Sequence, residues 1–155
     1  MKHLQIMQQL WLAFIHILLS MDVKKLTIVL SCIDYRFWPK ELAVLEKKFG
    51  DFDSIEMAGG SKNIASPRHK ADRHAVLESI EVAINLHNAK TLILTNHLDC
   101  GAYGGSKKFS SYTKELNFHK KELEKAKKII KKTFPKLKVK TFFLAKDSKG
   151  KIKFV

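Results

Sequence analysis

The stretch that decides the fold is "LTIVLSCIDYR", residues 26–36, in which an apolar run passes directly into polar side chains. The run from Leu26 to Ser31 is short, rich in β-branched residues and mostly apolar, which predicts a fully buried strand. A thiol, a carboxylate and a guanidinium then follow at every second position, as Cys32, Asp34 and Arg36. Residues two apart in an extended segment point to the same side, so these groups face one direction.

A second apolar run ends in a similar way. Thr91 to Thr95 predicts another strand, and "NHLDCG", residues 96–101, follows it with His97 and Cys100. In open α/β sheets, ligands bind beyond the carboxyl ends of the strands. If the two strands are neighbours, His97 and the only two cysteines of the chain therefore meet at one edge of the sheet.

The rest of the chain alternates between helical and strand patterns. Helices are predicted from Trp38-Pro39 to Phe49, from Ser66-Pro67 to about Leu86, and over 116–132; further strands are predicted over 52–57 and 139–144 and near the C-terminus. Between them, "AGGSKN", residues 58–63, has the composition of a flexible turn. The alternation predicts an α/β fold with a mostly parallel β-sheet flanked by helices, formed by one domain over residues 23–155.

Residues 1–22 are predicted to form a separate N-terminal apolar helix. Apolar side chains at three- and four-residue spacing give it one apolar face: Leu4, Met7, Trp11, Phe14 and Leu18. We favour a packing arm, or a mis-called start with Met21 as the true initiator, over a signal-like segment, because no small-x-small cleavage site precedes Met21. The expected location is cytoplasmic, and the signal-like character leaves export open.

The chain has 155 residues and a formal net charge of +14, most of which lies in one stretch. Residues 107–140 hold thirteen lysines and three glutamates, a surplus of ten positive charges. Such a face could meet nucleic acid, an acidic partner or an anionic membrane. Because the stretch lacks arginine and has few interleaved aromatic residues, we favour a solvated helix and expect neither a nucleic-acid nor a membrane partner.

Two thiolates and one imidazole form a donor set that suits a tetrahedral Zn²⁺ ion and leaves its fourth position free. An open position is typical of catalytic zinc, which lowers the pKa of bound water. Asp34 could fill that position or accept a hydrogen bond there, and Arg36 could hold its carboxylate ionised. A Cys32–Cys100 disulfide, cysteines in the core and a structural Asp–Arg pair remain alternatives. Taken together, the five residues favour a metal site.

These residues resemble the motifs of the β-class carbonic anhydrases. That family carries Cys-x-Asp-x-Arg after its first core strand and His-x-x-Cys-Gly after a later one, here "CIDYR" and "HLDCG". Between the two motifs, "MAGGSKN" stands where the family has an Asn-Ala-Gly-Asn-like loop. The resemblance covers residues 26 to about 105 and implies a β-carbonic-anhydrase-like fold.

The resemblance also implies a function. Cys32, His97 and Cys100 would bind one Zn²⁺ per chain, and Asp34 and Arg36 would form the catalytic dyad of the family. Zinc-bound hydroxide would then hydrate CO₂ reversibly to bicarbonate. Members of the family are dimers or larger homo-oligomers, often with N-terminal helices packed on the neighbouring subunit, which implies a homodimer or higher assembly here.

The chain departs from the family pattern in several places. Tyr35 stands where the family usually has serine, and the "MAGGSKN" loop lacks the usual arginine and first asparagine. The glutamine that the family uses to orient substrate has no clear counterpart. Two other functions therefore stay open: a zinc hydrolase of a CO₂-like substrate such as COS or CS₂, and a non-catalytic zinc-binding module with a basic interaction helix.

Overall fold

The computed structural model describes residues 26–155, in which five strands form one β-sheet. The strands are β1 (Thr27–Ser31), β2 (Phe52–Glu56), β3 (Thr91–His97), β4 (Lys138–Lys146) and β5 (Ile152–Phe154). The helices are α1 (Trp38–Phe49), α2 (Lys62–Ala65), α3 (Lys70–His87) and α4 (Tyr112–Thr133). The predictions for residues 1–22 and for a domain boundary at residue 23 lie outside the described residues.

The sheet has the strand order β2-β1-β3-β4-β5. The first four strands are parallel, and only β5 runs antiparallel to its neighbour β4. Leu30 of β1 lies opposite Leu94 of β3, which brings the carboxyl ends of these two strands side by side. The predicted mostly parallel sheet flanked by helices is therefore confirmed.

Helices cover both faces of the sheet. On one face, α2, α3 and α4 pack against alternating strand residues in a cluster that includes Ile28, Leu30, Ile64, Ile80, Leu92, Leu94, Leu123 and Ile130. On the other face, Leu45 of α1 packs against Val29 and Ile93, the strand residues that point the opposite way. Strands β1 and β3 are thus buried on both faces, as their continuous apolar runs predicted.

Two helix boundaries differ from the predicted ones, and capping explains both. Helix α3 begins at Lys70, after Ser66-Pro67, because the backbone N–H of His69 donates to the Asp72 carboxylate at 2.9 Å. Helix α4 begins at Tyr112, earlier than predicted, because the Ser111 hydroxyl accepts from the backbone N–H of Lys114. The "AGGSKN" stretch is also partly ordered, since α2 begins within it.

The long helix α4 carries much of the positive charge. It buries an apolar stripe that includes Leu123, Ala126 and Ile130, and it exposes most of its lysines. Among the helices of residues 26–155, none has the length and hydrophobicity needed to cross a membrane.

Gly60 is the residue at which the "MAGGSKN" loop packs most closely on the strand ends. Its φ is +51°, and a Cβ atom there would lie 2.8 Å from the Thr95 carbonyl oxygen. Both the left-handed backbone and the backbone contact exclude a larger residue without a shift of the loop.

We therefore expect Gly60→Ala to lower the free energy of unfolding by about 3 kcal/mol, because strain and overpacking add. Urea unfolding followed by circular dichroism measures this. Gly101→Ala is the matched control, since a Cβ there meets no atom within 4 Å; it should change stability by less than about 0.5 kcal/mol. Equal stability of the two variants would contradict the prediction.

Candidate metal centre

The ends of β1 and β3 bring two candidate sulfur ligands and one candidate nitrogen ligand together. Cys32 directly follows β1, His97 is the last residue of β3, and Cys100 lies three residues further on. One ligand atom from each residue lies within 4.8 Å of the other two, and all three residues are buried. The structure thus brings together all three residues that the sequence predicted as zinc ligands.

The distance between the two sulfur atoms decides between a disulfide and a metal site. The Sγ atoms of Cys32 and Cys100 lie 4.0 Å apart, and both cysteines are free. A disulfide has a sulfur–sulfur distance of about 2.05 Å, so the disulfide alternative is wrong for this structure. Two thiolates bound at about 2.3 Å to a tetrahedral zinc ion lie about 3.8 Å apart, close to the observed spacing.

His97 is oriented so that one ring nitrogen remains available. Its Nδ1 lies 2.8 Å from the Leu98 carbonyl oxygen, which can only accept, so Nδ1 carries the proton and donates. Its Nε2 is buried and has no hydrogen-bond partner among residues 26–155. The ring also stacks on Phe37, with ring centroids 4.3 Å apart. A fixed ring with a buried, unsatisfied nitrogen fits a metal ligand.

The two thiols have opposite pKa shifts. The contact with the Cys100 sulfur lowers the pKa of Cys32, against the effect of burial, and His97 and the backbone N–H of Gly59 lower it further. The same contact and burial raise the pKa of Cys100. Burial disfavours the charged form of His97, but the Cys32 sulfur and the Leu98 carbonyl outweigh it and raise the pKa of His97. The contacts of Cys32 therefore favour its thiolate form, which is the form that binds a metal ion.

Asp34 and Arg36 form a bidentate ion pair beside this cluster. Arg36 donates from Nε to Asp34 Oδ1 at 2.9 Å and from Nη2 to Asp34 Oδ2 at 2.7 Å. These hydrogen bonds lower the pKa of Asp34 to about 2, and the pair raises the pKa of Arg36. Asp34 Oδ2 also lies 3.8 Å from His97 Nε2. The carboxylate is thus ionised and adjacent to the candidate ligands.

Asp99 joins this pair, although the sequence motifs did not single it out. Arg36 donates from Nη1 to Asp99 Oδ2 at 2.8 Å and from Nη2 to the Asp99 carbonyl oxygen at 2.9 Å. Asp99 lies between His97 and Cys100 and has a positive φ of 55°. A carboxylate inside the second motif, facing an arginine of the first, is the signal that could have identified it.

Glu41 is a second residue that the sequence motifs did not indicate. It lies in α1 and is only 1% exposed, and its Oε1 has no hydrogen-bond partner among residues 26–155. Burial raises the pKa of Glu41 to about 7, although a hydrogen bond with Thr95 and the proximity of His97 oppose this. Glu41 lies on the same buried face of α1 as Leu45. The helical spacing of the two residues in the sequence is the signal that could have identified it.

Tyr35, which stands where the family usually has serine, is largely exposed to solvent. The residue lies in the turn before α1 and its surface is 81% exposed. The neighbouring Arg36 side chain binds both Asp34 and Asp99. The substitution of tyrosine for the usual serine of the family therefore leaves the ion pair intact.

The fold and the site first define a general class: an α/β protein with a candidate Cys-His-Cys metal centre at the carboxyl edge of its parallel sheet. The chain belongs to the protein family described as "Putative carbonic anhydrase", whose model matches residues 22–155. An uncharacterized protein of Rickettsia bellii is 35% identical over 127 residues, covering 78% of this chain and 77% of that protein. An uncharacterized protein of Rickettsia conorii is 33% identical over 127 residues, covering 78% and 68%.

Solved structures with the same fold are β-carbonic anhydrases. A structure described as one of two tetrameric β-carbonic anhydrases of Sordaria macrospora matches with a TM-score of 0.57 and 17% identity, covering 99% of this chain and 95% of that one. A β-carbonic anhydrase of Trichomonas vaginalis matches with a TM-score of 0.55 and 14% identity, covering 99% and 97%. The predicted β-carbonic-anhydrase-like fold is confirmed.

The three candidate ligands generate one prediction at this site. Cys32→Ser, His97→Ala and Cys100→Ser should each lower the zinc content from about one ion per chain to less than about one tenth, because each removes a ligand from a site of three. Elemental analysis of the purified variants measures this, with circular dichroism as a check of folding. The exposed His74→Ala variant is the matched control. Full zinc content in a folded ligand variant would show that the substituted residue is not a zinc ligand.

His119 generates a second prediction. It is fully buried in α4 among aromatic rings, including Tyr103 and Phe143, and Glu115 lies 3.9 Å away. Burial lowers the pKa of His119 to about 4 from its ordinary 6.5, and His97 and Lys108 add to the shift. As the pH falls below 6.5, the unfolded chain takes up a proton that the folded chain excludes. Stability is therefore lost with falling pH.

We expect this residue to account for about 2 kcal/mol of lost stability between about pH 7 and pH 5. Urea unfolding at both pH values measures the loss in the native chain and in His119→Phe, which keeps an aromatic ring but cannot titrate. The loss should be smaller by this amount in His119→Phe and unchanged in His74→Ala. An equal loss in all three proteins would show that the folded chain protonates His119 as readily as the unfolded chain does, and would contradict the prediction.

Proposed function

We propose that this chain is a zinc-dependent carbonic anhydrase-like lyase that catalyses the reversible hydration of CO₂ to bicarbonate. One observation carries the proposal: a buried Cys-His-Cys cluster, with ligand atoms within 4.8 Å of one another, lies beside an ionised Asp34 held by Arg36. Membership of the family makes this reaction the first one to test.

The residues present fit one zinc ion per chain. Cys32, His97 and Cys100 would hold it, since two sulfurs and one imidazole form a donor set that zinc favours and the His97 Nε2 is otherwise unsatisfied. With three protein ligands, a bound zinc ion would lower the pKa of water at its open position and supply a nucleophile near neutral pH.

Asp34 would act on the reacting water. Since its pKa is about 2, the carboxylate is ionised at any pH at which the protein would work, and it can only accept hydrogen bonds. A fixed acceptor of this kind orients a water molecule for attack on CO₂. Arg36 holds the carboxylate through two parallel hydrogen bonds and so sets its direction.

The surroundings of the cluster suit a small apolar substrate. Phe37 stacks on the His97 ring, and Tyr103 and Phe118 pack near the two cysteines. Apolar walls lower the local dielectric constant and strengthen the electrostatic interactions of Asp34 and Arg36. Neutral, linear CO₂ loses little hydration on entering such a site.

We also propose that the chain forms a homodimer or a larger homo-oligomer. Ile33 and Tyr35 alternate with the site residues and are 53% and 81% exposed, so an apolar surface borders the site. A second copy could cover this surface. The similar β-carbonic anhydrases of Sordaria macrospora are described as tetrameric. Two free cysteines suit a reducing compartment, which supports a cytoplasmic location.

The decisive experiment is stopped-flow CO₂ hydration at mildly alkaline pH, together with zinc analysis. Asp34→Asn should keep about one zinc ion per chain and lower kcat by about 100-fold, because the amide is a weaker and differently directed acceptor. The control is Asp53→Asn, which removes an ion pair with His87 on the edge strand β2. Full turnover by Asp34→Asn would remove Asp34 from the mechanism.

The two alternative functions are outcomes of the same experiment. Turnover of COS or CS₂ without turnover of CO₂ would overturn the proposed substrate and retain the zinc chemistry. Zinc without turnover of CO₂, COS or CS₂, together with polyanion binding that weakens steeply with salt, would favour the non-catalytic module with a basic interaction helix.

A further inference from the structure

Asp99 is held on three sides. Its backbone N–H donates to Glu115 Oε1 of helix α4 at 2.7 Å, and its Oδ1 accepts from the backbone N–H of Ser106 at 2.8 Å. Its Oδ2 accepts from Arg36 Nη1 at 2.8 Å. Glu115 is itself only 2% exposed, so the Asp99 backbone is tied to a fixed part of the fold. These contacts stabilise the positive φ that Asp99 adopts.

Arg36 is therefore clamped between two carboxylates that come from different loops. Asp34 is two residues away along the chain, so a pair between Asp34 and Arg36 alone could move as one unit. Asp99 is 63 positions away and contacts the guanidinium through both its side chain and its carbonyl oxygen. The second contact fixes the guanidinium relative to β3, and through it fixes Asp34.

The position of Asp34 matters because a carboxylate is itself a competent zinc ligand. Its Oδ2 lies 3.8 Å from His97 Nε2, so a small movement would add it to the candidate ligand set. Such a movement would break its hydrogen bonds to the Arg36 guanidinium and the bond that Asp34 Oδ1 accepts from the Arg36 backbone N–H at 3.0 Å. Asp34 therefore has two alternative partners, and whatever holds Arg36 in place biases the choice.

We propose that Asp99 is a positioning residue that keeps Asp34 out of the metal's ligand set by anchoring Arg36. The inference rests on the proposed zinc site. Without Asp99, Arg36 could follow Asp34 towards the cluster or leave it free, and an added carboxylate ligand would block the position that substrate and water need. Asp99 thus favours the open form of the site.

The test uses Asp99→Asn in the full chain with Co²⁺ in place of zinc, because cobalt reports its ligands through visible absorption. An asparagine has one acceptor oxygen, so it cannot satisfy both Ser106 and Arg36 as Asp99 does. We expect thiocyanate, titrated at one mildly alkaline pH, to bind about tenfold more weakly, as for a lost charge-assisted hydrogen bond. In the zinc form, kcat/KM for CO₂ should fall, because the blocked fraction binds neither substrate nor water.

A second background separates this role from a merely structural one. In Asp34→Ala there is no carboxylate to compete, so adding Asp99→Asn should leave thiocyanate binding unchanged. Asp53→Asn is the matched control and should bind thiocyanate as the native chain does. Equal weakening by Asp99→Asn in both backgrounds, or native binding by a folded Asp99→Asn, would overturn the proposal.

Failure of the proposed function gives a different result. A native chain that binds cobalt and thiocyanate but does not hydrate CO₂ would overturn the proposed reaction, while the absorption titrations would still test Asp99. A native chain that binds neither zinc nor cobalt would overturn both proposals.

Discussion

The parallel pairing of β1 with β3 is the constraint on which the candidate site depends. Its register places Leu30 opposite Leu94, so the residues that follow the two strands leave the sheet at the same level. A slip of one residue would turn every side chain of one strand to the opposite face and would separate Cys32 from His97. The buried apolar residues on both faces fix this register, and the metal centre inherits its geometry from them.

The charges at this edge of the sheet form two connected groups. The Cys32 sulfur lies with His97 and the Gly59 backbone N–H inside the protein, where burial strengthens each interaction. Arg36 and its two aspartates lie further out, and Arg36 is 37% exposed. Asp34 belongs to both groups, because it binds Arg36 and also approaches His97. Asp34 therefore connects the two groups, because a change in its position would alter both its pairing with Arg36 and its distance from His97.

The parts of the fold that could be predicted were those encoded locally. Continuous apolar runs predicted β1 and β3, and the cysteines and His97 at their ends predicted the cluster. Asp99 could not be placed in this way, because its contact with Arg36 spans 63 positions and depends on the turn after β3. The start of α3 was predicted too early because Ser66-Pro67 resembles a cap, whereas the pair of His69 and Asp72 is the one that forms it.

The cluster also joins distant parts of the chain. Cys32 and Cys100 are 68 positions apart, so an ion bound to both would cross-link a large loop that is open in the unfolded chain. Binding energy at such a site is also folding energy, because the unfolded chain has no preformed set of ligands. The half-life of the protein in a cell would then follow the metal supply: chains made during metal shortage would unfold and be degraded more often than loaded ones.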